Sequence, residues 1–291
     1  MTPAHPTPAS SATRDRSDKM FYVLGPCVIE SGPTTLEIAS EVARQTRPHR
    51  CYFKASFDKA NRTRLDAFRG LGLSMGLQIL GEAREASQLP VITDVHECWQ
   101  VEKVAPHVDA LQVPAFLCRQ SSLLLEVGSC GLPVLIKKGQ FLSATDMRHV
   151  ADKVLSAGAP ELWLCERGST QAGKDLYVDM RNLCILREIA NDTGARVVYD
   201  ATHSVQHPGL CHGTGGHREY VLPLLRAAVA VGIDGVFAEL HPAPETALCD
   251  ADCQWPLSRL PELLQHTEVL DKARRALEVR GTGQVPNRQE A

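Results

Sequence analysis

The stretch Cys51-Tyr52-Phe53-Lys54-Ala55-Ser56-Phe57-Asp58-Lys59-Ala60-Asn61-Arg62-Thr63 begins aromatic and apolar, as a strand does, and then turns polar. Lys54, Lys59 and Arg62 stand there among Ser56, Asn61 and Thr63. Lysine and arginine offer charge-assisted hydrogen bonds to phosphate or carboxylate, and Ser, Asn and Thr read hydroxyls. A charge run is ordinarily a solvated face, so one such loop does not make a ligand site. Its meaning comes from repetition, because the same unit recurs along the chain.

Short β-rich runs fall at Phe21–Leu24, Cys51–Lys54, Val91–Thr93, Ala110–Val113, Val134–Ile136, Leu162–Leu164, Val197–Tyr199 and Gly235–Ala238. Between them, apolar residues recur at helical spacing. One series is Leu36, Ile38, Ala39, Val42 and Ala43, and another runs from Met147 to Leu155. The second is expected to open on Ser143 as N-cap and close at Gly158. A third, from Tyr220 to Val229, ends at Gly232, and a last helix spans Leu260–Val279. Eight strand-then-helix units in about 260 residues is the count of a single (β/α)8 TIM barrel. A doubly wound sheet is the alternative, but no Gly-rich phosphate turn follows the first strand.

Polar and ionisable residues gather at the C-terminal ends of the strands. They include Cys27, Lys54 to Thr63, Asp94 to Glu97, Arg119, Lys137 and Lys138, Glu166 and Arg167, Asp200 to His203, and Glu239 to His241. The strand starts carry Val91, Pro133, Leu162 and Val197 instead. In a barrel the C-terminal ends converge on one mouth, where such enzymes keep their chemistry. Crowding charges there without a ligand would cost several kcal/mol, so the asymmetry points to an enzyme.

Composition narrows the setting. The chain has 291 residues, 44% hydrophobic, with a net charge of −3, which offers no general attraction to nucleic acid or to anionic membranes. No apolar run approaches the roughly 20 residues of a membrane helix. Residues 1–18 are rich in Pro, Ser, Thr and Ala and lack the apolar middle of a secretory signal, so they are expected to be a disordered tail. The catalytic barrel is expected over 19–280 and a frayed tail over 281–291. The ten cysteines read as reduced thiols of a cytoplasmic protein.

Two constellations follow from residue types. Cys27, His96, His203, Glu239, His241, Asp250 and Asp252 could supply ligands to a borderline divalent ion such as Zn²⁺, Fe²⁺ or Mn²⁺. In Cys249-Asp250-Ala251-Asp252-Cys253 either aspartate could ligate and both cysteines could be bystanders. Lys54, Lys59, Arg62, Arg119, Lys137, Lys138 and Arg167 could hold more than one phosphate, or a phosphate and a carboxylate. Lys137 and Lys138 are adjacent, so in extended chain only one faces the ligand. His207, His212 and His217 flank or lie in the Gly-rich stretch 208–216, which reads as a flexible loop over the mouth.

The motifs Lys54 to Thr63, Thr93 to Glu97, Gln112 to Gln120, Lys137 to Phe141, Cys165 to Gly168, Asp200 to Gln206 and Glu239 to Pro242 resemble those of 3-deoxy-D-manno-octulosonate 8-phosphate synthases. The resemblance spans residues 20–275 and is to the metal-dependent class, since metal-independent members carry Asn where Cys27 stands. It implies condensation of phosphoenolpyruvate with arabinose 5-phosphate on a TIM barrel, usually as a homotetramer, in the biosynthesis of the lipopolysaccharide inner core. Carried over, Lys59, Lys137 and Arg167, with Gln112, would hold phosphoenolpyruvate; Asn61 would read the pentose hydroxyls. Arg62 and Thr63 would take the sugar phosphate, with Arg119 from a neighbouring subunit, and Lys54 and Ser56 belong to the same substrate-binding motif. One divalent ion per subunit would sit on Cys27, His203, Glu239 and Asp250, with His96 beside the reacting water. Ser169 to Lys174 departs from the aromatic run expected there.

A sister enzyme that uses erythrose 4-phosphate is the nearest alternative, but it typically lacks a counterpart of Asn61. A catalytically dead barrel that senses sugar phosphates is the other, and it would need no metal ligands.

Overall fold

The computed structural model describes residues 19–170, 176–210 and 213–280. The tails expected at 1–18 and 281–291, His212, and most of the departing run 169–174 lie outside them. Eight parallel strands close into a barrel: β1 (Phe21–Gly25), β2 (Cys51–Lys54), β3 (Val91–Asp94), β4 (Ala110–Val113), β5 (Val134–Lys137), β6 (Leu162–Glu166), β7 (Arg196–Asp200) and β8 (Gly235–His241). Each pairs with its sequence neighbours, and β1 returns to β8 with Phe21 opposite Gly235 and Gly25 opposite Glu239. Helices α1 (Gly32–Thr46), α2 (Leu73–Ser87), α3 (Cys98–Val104), α4 (Ser121–Ser129), α5 (Met147–Ser156), α6 (Arg181–Thr193), α7 (Val221–Val231) and α8 (Leu260–Arg280) follow the strands in turn. The fold is the (β/α)8 barrel that the alternation implies.

The strands bury both faces, and their two-residue period sorts the side chains. Phe21, Val23, Tyr52, Ile92, Ala110, Leu135, Trp163, Cys165, Val198 and Phe237 pack together along the axis. Their neighbours Tyr22, Leu24, Val91, Leu111, Val134, Leu162, Leu164, Val197 and Val236 join the shell beneath the helices. Counting on by two from the axial set reaches Lys54, Asp94, Gln112, Lys137, Arg167, Asp200 and Glu239. The alternation that fills the lower barrel with rings and aliphatic groups therefore loads its upper end with charge. At the floor, the Arg50 guanidinium lies 5.4 Å from the centres of the Phe21 and Tyr52 rings and 5.8 Å from that of Trp163. Glu161 holds it at 2.8 Å.

Three local features differ from the sequence reading. Strands β6, β7 and β8 run on into Glu166, Asp200 and His241, because barrel pairing continues there and sets Glu166 opposite Tyr199. Helix α5 takes Asp146, not Ser143, as N-cap; the Ser143 hydroxyl accepts from the Asp146 amide at 3.3 Å and organises the preceding turn. In place of a loop over 208–216, Gln206–Leu210 pairs antiparallel with Gly213–Gly216 as a hairpin. A Cβ on Gly216 would stand 2.1 Å from Cys253 Sγ, so only glycine lets this strand lie on the Cys253 segment.

Candidate active site

The strand ends and the loops that follow them enclose a cavity of about 410 Å³. Lys59, Asn61, Arg62, Thr63, Gln112, Lys137 and Arg167 line it, together with His203, Glu239 and Asp250. These ten come from six strand ends, and all were singled out by residue type or motif. Asp94, Gln140, Asp200, Gln206 and Cys249 complete much of the polar wall.

Four expected substrate or catalytic residues stand apart from that lining. Lys54 is 1% exposed, and its ammonium donates to Cys27 O at 2.8 Å and to Glu239 Oε1 at 2.6 Å. It therefore braces the metal-ligand candidates from below. Ser56 is fully buried with its hydroxyl unpaired, and its carbonyl accepts from the Ile29 amide at 2.9 Å, tying the β1 and β2 loops together. His96 packs behind Asp94, with Nε2 3.3 Å from Asp94 Oδ2, and it is Asp94 that reaches the cavity. Arg119 is exposed and outside this cavity. Of the two adjacent lysines, Lys137 lines the cavity and bonds to Asp200. Lys138 turns away into the protein, where Gly139 O, Gly168 O, Ser169 Oγ and Glu166 surround it. Burial lowers the Lys138 pKa and raises that of Glu166, as expected for a pair enclosed without water.

On one side of the cavity the metal-ligand candidates converge. Gly25, with φ +155, starts the turn that carries Cys27; a Cβ there would sit 2.0 Å from Lys54 O. Cys27 Sγ lies 3.7 Å from Asp250 Oδ2, and His203 Nε2 lies 3.2 Å from Glu239 Oε2 and 3.7 Å from Asp250 Oδ2. The ligand atoms of His203, Glu239 and Asp250 fall within 4.8 Å of one another, as do those of Cys27, Cys249 and Asp250. The second nitrogen of His203, Nδ1, is 2.7 Å from Asp200 Oδ2, the carboxylate backing that metal-binding histidines usually have. Glu239 gives one oxygen to Lys54 and leaves the other facing His203. Thiolate, imidazole and carboxylates in this arrangement fit a borderline divalent cation. His241 does not join them, since its Nε2 faces Glu30 at 3.5 Å and its Nδ1 accepts from the Ala243 amide.

The charges are strongly coupled. Burial alone would discharge Lys59, but the carboxylates of Glu239 and Asp94 oppose it, and its pKa stands well above the ordinary lysine value. Burial likewise opposes the Glu239 carboxylate, and His203, Lys54 and Lys59 reverse that and push its pKa well down. Burial raises the Cys27 thiol, which loses water without a full countercharge. On the cationic wall, burial lowers the pKa of Arg167. Its Nη2 donates to Gln206 Oε1 while its buried Nη1 has no protein partner. Gln112 Oε1 is similarly unpaired. Unmet donors and acceptors on this wall are what a polar ligand would satisfy.

Asp200 and Gln206 were given no role of their own by the sequence reading, though both lie in a quoted motif. Asp200 joins Lys137 to His203, and Gln206 joins Arg167 to Asp250 Oδ2 at 3.1 Å. Each links the cationic wall to the ligand cluster, a role that only three-dimensional proximity reveals.

The sequence matches the DAHP synthetase I family over residues 7–276. The chain belongs to that family. Its relatives in the family include a protein of Nitrosococcus oceani, 48% identical over 256 residues, covering 87% of this chain and 90% of the relative. Others are from Coxiella burnetii (strain RSA 493 / Nine Mile phase I), 46% identical over 260 residues with 88% and 91% covered, and Desulfatibacillum aliphaticivorans, 49% over 257 residues with 87% and 93% covered. All three bear the name 2-dehydro-3-deoxyphosphooctonate aldolase. Among the described residues, no helix is long and apolar enough to cross a membrane.

Proposed function

We propose that this chain is a transferase that condenses phosphoenolpyruvate with D-arabinose 5-phosphate and water, giving 3-deoxy-D-manno-octulosonate 8-phosphate and inorganic phosphate. The observation that carries the reading is one cavity in which two groups of cations and one group of metal-ligand residues meet. The family and the shared name of its relatives agree with it. The reaction joins carbon 3 of phosphoenolpyruvate to the aldehyde carbon, whose oxygen takes a proton. Water adds at carbon 2, and the bond from that carbon to the phosphate oxygen breaks.

In this reading Lys59, Lys137, Arg167 and Gln112 hold the phosphate and carboxylate of phosphoenolpyruvate deep in the cavity. Asn61 reads the pentose hydroxyls, and Arg62 with Thr63 takes the sugar phosphate nearer the rim. Arg119 completes that pocket from a neighbouring subunit of a homotetramer in the cytoplasm. The cations bring two anions together against their repulsion, chiefly a positioning effect. Asp94, with His96 behind it, faces the reacting water and can hold or pass its proton. One divalent ion per subunit, Zn²⁺, Fe²⁺ or Mn²⁺, held by Cys27, His203, Glu239 and Asp250, would supply Lewis-acid charge that orients aldehyde or water.

The second reading, with erythrose 4-phosphate as acceptor, is favoured by the family description. Phosphate release measured with each aldose phosphate in turn separates the two. Arabinose 5-phosphate is expected to drive release; a preference for erythrose 4-phosphate overturns the assignment. Exhaustive chelation should abolish the release and the three metals should restore it, whereas full activity after chelation removes the metal from the reading.

A further inference from the structure

We infer that Cys249 is a second sulfur ligand, so that the divalent ion sits on a Cys27–Cys249 dithiolate backed by Asp250, His203 and Glu239. This rests on the metal-dependent reading above and extends it to a residue that reading does not use. The two sulfurs lie 2.8 Å apart, closer than unbonded sulfurs rest, and both residues are buried. They share a small apolar cluster with Val28 and Phe68, separate from the main core, which keeps one side of the pair dry.

The pairing is built by the surrounding chain. Gln254, fully buried, accepts from the Cys27 amide through Oε1 at 3.4 Å and donates through Nε2 to Cys249 O at 2.9 Å. One side-chain amide thus clamps two backbones 222 positions apart. Asp250 takes the left-handed conformation at φ +48, uncommon for a residue other than glycine. That turn lets consecutive side chains reach one point, for Asp250 Oδ2 is 3.7 Å from the Cys27 sulfur that Cys249 also meets. From the other side, Arg62 Nη1 donates to Cys249 Sγ at 2.6 Å, which places a cation beside that sulfur.

Two sulfur ligands about 2.3 Å from one ion, and roughly 110° apart, stand about 3.8 Å from each other. The pair needs to open by only about 1 Å to reach that spacing, which side-chain rotation supplies. On loading, each sulfur gives an electron pair to the ion as thiolate, and any proton it carries passes to solvent. A second sulfur shifts preference from Mn²⁺ towards softer ions such as Zn²⁺ and Co²⁺.

Cobalt(II) alone, titrated into the reduced full-length protein, tests this through sulfur-to-cobalt charge-transfer absorbance in the near ultraviolet. At saturation Cys249→Ser and Cys27→Ser should each retain about half of the band, since one sulfur of two remains on the ion. A full band in Cys249→Ser with none in Cys27→Ser overturns the dithiolate and leaves the metal-dependent reading intact. Failure of the unmutated protein to bind cobalt overturns both. The ¹¹³Cd resonance of the unmutated protein counts sulfurs without any substitution. A shift in the two-sulfur range supports the proposal, and a one-sulfur shift overturns it.

Discussion

Replacing Asp200 with asparagine probes the junction between the cationic wall and the ligand cluster. The Asp200 carboxylate is 0% exposed and takes five hydrogen bonds. Oδ2 accepts from Lys137 and meets His203 Nδ1 at 2.7 Å; Oδ1 accepts from the Thr202 and His203 amides at 3.1 and 2.9 Å and from the Thr202 hydroxyl at 3.2 Å. Asparagine can keep the Oδ1 contacts but turns an NH2 group towards Lys137 and His203. Removing one partner of a buried ion pair costs about 3–5 kcal/mol, and the retained bonds place Asp200→Asn near 3 kcal/mol. For a domain of this size that lowers Tm by about 6–12 °C. The NH2 group also forces Nδ1 of His203 to accept, which leaves the ring proton on Nε2, the atom facing Glu239 and Asp250. Zinc affinity should fall about 10- to 100-fold. Calorimetry of the metal-free protein reads the first effect and competitive zinc titration the second. Zinc affinity within twofold of the parent would refute the assignment of Asp200 as the group that orients His203.

Arg62→Ala should raise KM for arabinose 5-phosphate by about 10- to 100-fold, the worth of a charge-assisted hydrogen bond, with little change for phosphoenolpyruvate. Steady-state kinetics with each substrate varied in turn checks this, and equal rises would show that the two anions are partitioned differently. Gly216→Ala should destabilise the protein by about 1–3 kcal/mol through the clash with Cys253 Sγ. Adding Cys253→Ala, which deletes that sulfur, should recover most of the loss in denaturant melts; no recovery would place the strain elsewhere.

The barrel was legible because each strand-and-helix unit carries its own signal and eight such units admit few architectures. Which polar residues face the cavity was legible where strand alternation reaches them. Lys137 and Lys138 had to part, and the inward run through Leu135 decides that Lys137 faces the cavity. Lys54 obeys the same alternation and still misses the cavity, because Glu239, from the strand paired on the far side of β1, captures its ammonium. Local sequence holds no trace of such a partner 185 positions away. A separation of 63 positions hid the link from Asp200 to Lys137, and one of 222 left Cys249 open as a bystander. The Gly-rich segment read as a loop because glycine disfavours strands, yet Gly216 is what lets that strand lie against Cys253.

The aromatic and guanidinium packing around Arg50 has a consequence for traffic. With Phe21, Tyr52 and Trp163 plugging the lower axis, the described residues leave no passage through the floor. Whatever passes inward by Asn61 and Thr63 leaves again at the upper end of the strands, so the released phosphate and the eight-carbon product of the proposed reaction depart on the face by which the reactants came.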